Sequence, residues 1–355
     1  MRNIAIAGLM LASTMALAQT QIEKYEAGSQ PQGTFYYLPK TALRITVLVE
    51  KTTYTPGELC MYAEKYLRLK NVEQTASTTY TVKSIDMTPY GVPDTTKCYA
   101  VKYSGKSVGT NMQLSENGCL LTINTNAIMT LPTKQLIQVP KPKQKDPRNY
   151  LSEEILSAGS TAKMAQLIAQ EIYEIRDSKN QLTRGQADYM PKDGEQLKLM
   201  LAELDQQDKA LTSMFAGTTQ TENAEYTINY CPEKETTKEV LFRLSKQLGL
   251  VDKDDLAGTP YYIYVDNLHT LQMPQAQDDG KKKKSKEEGI YVNVPEKIKV
   301  RIASGSKEIF SEELYAAQFG YTELISGDLF KRNTTKLTLH PTTGSVQKLE
   351  AEQPK

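Results

Sequence analysis

Arg44-Ile45-Thr46-Val47-Leu48-Val49-Glu50 is the stretch on which the fold turns. Ile45, Val47 and Val49 alternate along it in the period-two pattern of a strand, β-branched residues dominate it, and residues 35–55 as a whole alternate in the same manner. Pro56-Gly57 then punctuates the run. Beyond it, Leu59, Tyr62, Ala63, Tyr66 and Leu67 share one side of a short helix expected over 58–69. Further strands are expected at 79–87, 98–103 and 120–123. Turn chemistry separates them at Pro89-Tyr90-Gly91, Ser104-Gly105 and Asn117-Gly118. Residues 19–139 therefore read as a β-rich N-terminal domain.

Residues 140–150 hold Pro140-Lys-Pro-Lys-Gln-Lys-Asp-Pro147, an extended linker with no apolar side chain but its prolines. A helical hairpin is expected over 151–217. Ala165, Ile168, Ile172 and Ile175 follow one face, as do Leu197, Leu201, Leu204, Leu211 and Phe215. Asp193 with Gln196 fits the start of its second helix. Two antiparallel helices with such stripes should pack on each other and on a neighbouring sheet. Strands return at 226–230, 239–244, 260–265, 289–294 and 297–302. A hairpin at 336–339 and 345–349, turning around Thr343-Gly344, closes a β-rich C-terminal part over 218–350. Residues 351–355 form a tail. The fold class is α+β.

The first 18 residues read as an export signal. Arg2 precedes an apolar run, and Ala16-Leu17-Ala18 offers the small-x-small pattern of signal peptidase before Gln19. The run is short for a membrane span and polar residues follow at once, so no transmembrane helix is expected. Cleavage would remove one basic side chain from 43 and none of the 42 acidic ones, leaving a neutral chain. Neutrality argues against nucleic acid as a partner. Four cysteines in an exported chain allow disulfides; Cys98 and Cys119, on strands close in sequence, are the candidate bridge. There is no CxxC spacing, so no metal or redox centre is expected.

Several near-motifs fall short of chemistry. Gly105-Lys106-Ser107 lacks the upstream glycine and the following helix of a phosphate loop. Ser160-Thr161-Ala162-Lys163 satisfies S-x-x-K, but no Lys-Thr/Ser-Gly follows, and Ser160 or Thr161 reads as a helix cap. His269 and His340 serve no nucleophile motif and read as surface residues; Asp252-Lys253-Asp254-Asp255 lacks calcium-loop spacing. Five lysines at 281–284 and 286 are largely offset by Asp278, Asp279, Glu287 and Glu288. No catalytic residue and no cofactor is expected. Tyrosine is the positive bias: 21 residues against six Phe and no Trp. Tyr36, Tyr37, Tyr261, Tyr262 and Tyr264 lie on strands, where an outward face would offer amphipathic contacts to a protein or peptide.

Leu38-Pro39-Lys40-Thr41-Ala42-Leu43, Pro56-Gly57, Tyr62-Ala63-Glu64-Lys65-Tyr66-Leu67 and Gly159-Ser160-Thr161-Ala162-Lys163-Met164-Ala165 carry a resemblance, with Ile175-Arg176-Asp177-Ser178, Asp193-Gly194-Glu195 and Gln318-Phe319-Gly320. Together they are similar to an uncharacterised family of exported proteins, a domain of unknown function typical of Bacteroidota. The resemblance implies a cell-envelope protein of a Gram-negative bacterium and transfers no activity to any residue. It also implies that Asp94-Thr95-Thr96 could serve as an O-glycosylation site at Thr95, in a loop after Pro93.

The function expected is that of a non-catalytic binding, scaffold or assembly component, in the periplasm or at the outer-membrane periphery. The alternative is an envelope hydrolase whose carboxylates are dispersed in sequence.

Overall fold

In a computed structural model, the structure describes residues 21–24, 34–102, 111–126, 145–191, 193–272, 289–327, 329–330 and 334–352. The segment 1–18, the stretch Gly105-Lys106-Ser107, residues 140–144 of the linker and the lysine run lie outside the described residues. The fold is mixed α+β and rich in strands. In chain order the elements are β1 (Gln21–Lys24), β2 (Thr34–Thr55), α1 (Ala63–Leu67), β3 (Ser77–Lys102), β4 (Met112–Leu114), β5 (Leu120–Ile123), α2 (Glu153–Leu156), α3 (Thr161–Arg184) and α4 (Gly194–Ala216). They continue as β6 (Thr218–Tyr230), β7 (Thr236–Ser245), β8 (Gly249–Val251), β9 (Thr259–Asn267), β10 (Gly289–Ser304), β11 (Lys307–Ser326), β12 (Thr334–Leu339) and β13 (Val346–Glu352).

Three antiparallel sheets are ordered β1-β3-β2-β6, β11-β10-β9-β7-β8 and β13-β12-β5-β4. Strands from both β-rich regions share two of them. β6, which follows the helices, lies along β2, and β12 lies along β5. The regions 19–139 and 218–350 thus interleave instead of standing as separate bodies, because each alone leaves a strand edge that the other pairs.

Two long ribbons, β2–β3 and β10–β11, each shift register beside a proline, the irregularity at which a strand bends. The turn expected at Pro89-Tyr90-Gly91 does not interrupt β3, which pairs with β2 from Ser77 to Val101. Pro89 and Pro93, four residues apart, have the same backbone orientation, and β1 covers the far edge of β3 only over Tyr99 to Lys102. A missing N–H is tolerated on such an open edge. The register of β2–β3 shifts between Tyr37 and Pro39. Likewise 289–294 and 297–302 are one strand, β10, with its register on β11 shifted between Val294 and Glu296, where Pro295 sits. The long β11 was absent from the sequence expectations; its Glu312-Glu313-Leu314-Tyr315-Ala316-Ala317 favours helix, and pairing with β10 overrides that preference.

Below the bends, Leu43, Ile45, Val47 and Val49 pack with Ile263, Val300, Ile302 and Phe319 in one core. Above them, Tyr36, Leu38, Tyr99, Ile290, Val292 and Leu337 form a second.

The helices make a third core. Ser160 caps α3 by accepting a hydrogen bond from the Lys163 N–H at 3.2 Å, and Asp193 caps α4 by accepting from Gln196 at 2.7 Å. Ala165, Ile168, Ile172 and Ile175 are buried against Leu59, Ala63, Leu67, Leu211 and Phe215. No sheet residue belongs to this cluster. The stripes close on the 59–72 segment rather than on a sheet, which corrects the packing expected from the sequence. The first half of α4 is correspondingly only half-buried at Leu197, Leu201 and Leu204. Gly57 joins the layers: any Cβ there would overlap the Met214 carbonyl oxygen, to which the Leu59 N–H donates at 2.8 Å.

Candidate functional site

The bends bring the three sheets together, and side chains peg them. Thr41 lies in β2 beyond the last residue paired with β6, Leu43, and is wholly buried. The Gln318 amide replaces the missing strand. Its Oε1 accepts from the Thr41 N–H at 2.9 Å, and its Nε2 donates to the Thr41 carbonyl at 2.8 Å and to Pro232 at 2.6 Å. Asn293 does the same elsewhere, donating through Nδ2 to the carbonyls of Pro39 and Thr343, both at 2.8 Å, and accepting from Lys97 Nζ at 3.2 Å. Burial pushes the Lys97 ammonium below its usual pKa.

These pegs seat the turn between β12 and β13 against Pro39 and Gly91. A pocket of about 460 Å³ opens beside it, lined by Pro89, Pro295, Leu314, Tyr315 and, from the turn, His340, Thr342, Thr343 and Ser345. Its walls are proline and aromatic, and its polar groups are hydroxyls and one imidazole, the mix that suits a modest organic or peptide ligand. His340 Nδ1 faces the Thr342 hydroxyl at 2.7 Å and the Thr342 N–H at 3.4 Å. The N–H makes Nδ1 an acceptor and leaves the ring proton on Nε2. Desolvation lowers the His340 pKa, so at neutral pH the pocket offers a neutral imidazole.

Tyr315, which lines the pocket, also belongs to the outer face of the five-stranded sheet. Register places Tyr315 beside Lys297, and Arg301 beside Tyr264. The Arg301 guanidinium lies 5.1 Å from the Tyr264 ring centroid and the Lys238 ammonium 4.4 Å from that of Tyr262. Arg301 also pairs with Asp266 at 2.9 Å, and Lys297 with Glu313 at 2.7 Å. Tyr315 stands 57% exposed at the edge of this face.

The predicted residues divide accordingly. Tyr262 and Tyr264 lie on that outer face. Tyr261 does not: it turns toward the core and stacks on Phe242 at 4.5 Å. Tyr36 cannot be a binding surface, for it is 0% exposed. Its hydroxyl accepts from the Tyr291 N–H at 3.0 Å and donates to the Tyr291 carbonyl at 3.4 Å, and burial drives its pKa far up. It is another peg. Tyr37 is half-buried, on β2 between Cys98 and Cys119.

That position also corrects the disulfide. Cys98 pairs with Tyr37 on one side and Cys119 bridges it on the other, and both are buried free thiols. Residues flanking a strand stand roughly 9–10 Å apart, beyond the ~7 Å Cα separation a disulfide spans. Thr95 is exposed, but in β3 and not in a loop.

Ser160 acts as the cap of α3, with Lys163 exposed. His269 lies exposed beside Glu235. Among the described residues no group of three or more His, Cys, Asp or Glu is placed to hold a metal, and no helix is long and apolar enough to cross a membrane. The sequence reading missed the pocket. Only His340-Pro-Thr-Thr-Gly-Ser345 is contiguous, and its four partners come from β3, β10 and β11.

Several of the residues carrying the resemblance sit at joints: Thr41 on Gln318, Gly57 on Met214, and Gly320 on the Val294 carbonyl. The domain of unknown function DUF4831 matches residues 32–347. No curated protein and no solved structure matches the chain.

Proposed function

The chain belongs to the DUF4831 family, and we propose that it is an exported cell-envelope component that acts without catalysis, binding an envelope protein or peptide. The observation that carries this reading is the three-sheet pocket, whose Tyr315 also stands on the sheet face that carries Tyr262, Tyr264 and Arg301. Aromatic and arginine side chains around an apolar pocket are the composition of binding hot spots. Export rests on residues 1–18; β1 begins at Gln21, so a cut before Gln19 spares every described element. Periplasm or outer-membrane periphery is the location that fits. The helices act as an antiparallel hairpin. Arg176 on Asp208 at 3.0 Å, and Lys179 on Asp205, support this, since the partner number rises on one helix as it falls on the other. Thr95, being exposed, remains available to an O-glycan.

A photoreactive residue in place of Tyr315, introduced in the host bacterium, tests the binding role. It should crosslink an envelope protein or peptide, whereas the same residue at exposed Glu323 should not. Equal labelling from both positions, or none from Tyr315, would refute the proposal.

One observation favours the hydrolase reading. Burial and the charge of Asp86 on β3 both push Glu312 on β11 above the usual carboxylate range, and these two strands carry Pro89 and Leu314 into the pocket. Glu312→Gln separates the readings when turnover is followed beside crosslinking: a hydrolase would lose cleavage of its substrate while crosslinking from position 315 persists, whereas a binding component has no cleavage to lose.

A further inference from the structure

β6 is the outer strand of its sheet, and its 13 residues pair with β2 without a register shift. Its other edge meets no described element in strand pairing. Natural edge strands are blunted by lysine, proline, bulges or brevity. Thr218-Thr-Gln-Thr-Glu-Asn-Ala-Glu-Tyr-Thr-Ile-Asn-Tyr230 has none of these, and its only charges are Glu222 and Glu225.

We propose that this edge pairs with the same edge of a second copy, antiparallel about a two-fold axis through Ala224, joining two four-stranded sheets into one. The argument is self-complementarity. Ala224 is the middle residue, so this register uses the whole strand. Thr221 then faces the partner's Thr227, Glu222 faces the partner's Tyr226, and Asn223 faces the partner's Glu225. Hydroxyl meets hydroxyl and amide meets carboxylate, with no like charges opposed. A slip of two residues toward the C-terminal end would set Glu225 against its own copy. Two-fold symmetry admits only shifts that keep side chains on matching faces, so the choice of register is small. Residues 222–225 are exposed, as an edge awaiting a partner requires.

Light scattering of the full chain across roughly 1–100 μM should show a monomer–dimer equilibrium. Ala224→Lys opposes two ammonium groups at the axis and should weaken it by about tenfold or more. A circular dichroism melt of that variant checks that the exposed substitution leaves the fold intact. Antiparallel pairs hold Cα atoms about 4.5–5.5 Å apart, within disulfide reach. Ala224→Cys should therefore link into a dimer under mild oxidation, while Thr219→Cys, opposite the partner's Asn229, should not. A chain monomeric throughout, a dimer that ignores Ala224→Lys and does not link through position 224, or a monomer that captures only a foreign strand at this edge would each overturn the proposal.

Discussion

Glu296 is 2% exposed and carries a charge. Burial alone would raise its pKa. Hydrogen bonds from Thr270 Oγ1 at 2.5 Å and from the N–H groups of Thr270, Leu271 and Lys297 outweigh that and hold it below the usual carboxylate range. Its role is to tie the chain leaving β9 to β10. A depressed folded pKa contributes stability that is present above the unfolded value, about 4.3, and fades as pH falls through the folded one. Glu296→Ala should thus cost about 1–3 kcal/mol at pH 7, shrinking below about pH 4, by urea unfolding. A difference independent of pH would remove the charge from the account. Nothing local announced this residue: Pro295-Glu296-Lys297 reads as a polar interruption, and its partners other than Lys297 lie 25 and 26 residues upstream. The caps at Ser160 and Asp193 were legible because donor and acceptor are neighbours in sequence.

At the scale of elements, β2 was foreseen from its alternation, and α3 and α4 from their stripes and caps. β11 was not, nor the continuity of β3 and β10 through prolines. Alternation and capping are local, whereas a proline's tolerance in a strand depends on which edge is open. The bend in β10–β11 depends on Gly320, packed so closely that any Cβ would overlap the Val294 carbonyl oxygen. Gly320→Ala should destabilise the protein by about 2 kcal/mol or more, measured as a fall in the urea midpoint. Gly305→Ala, at a turn with open space around it but positive φ, is the comparison and should cost about 1 kcal/mol. Equal effects would mean that the bend relaxes freely.

For the whole molecule, the helical core shares no buried residue with either β core. Segments with separate cores open as separate units. Native-state hydrogen exchange should find α3 and α4 opening together at lower free energy than β2 and β10; one common opening energy for all would contradict the division into layers. The sequence by itself determined the class of the fold, the positions of the amphipathic helices and the first long strand, and the absence of any complete short catalytic motif. Each of those is written in spacings of two to four residues, the range over which backbone geometry alone relates side chains. Which strands meet, which tyrosines turn inward, and where the pocket lies were decided only by tertiary structure. Tyr36 and Tyr262 have the same strand propensity. Only the ribbon beside Tyr36, whose Tyr291 backbone bonds the Tyr36 hydroxyl from 255 residues away, makes one a buried peg and leaves the other on the surface.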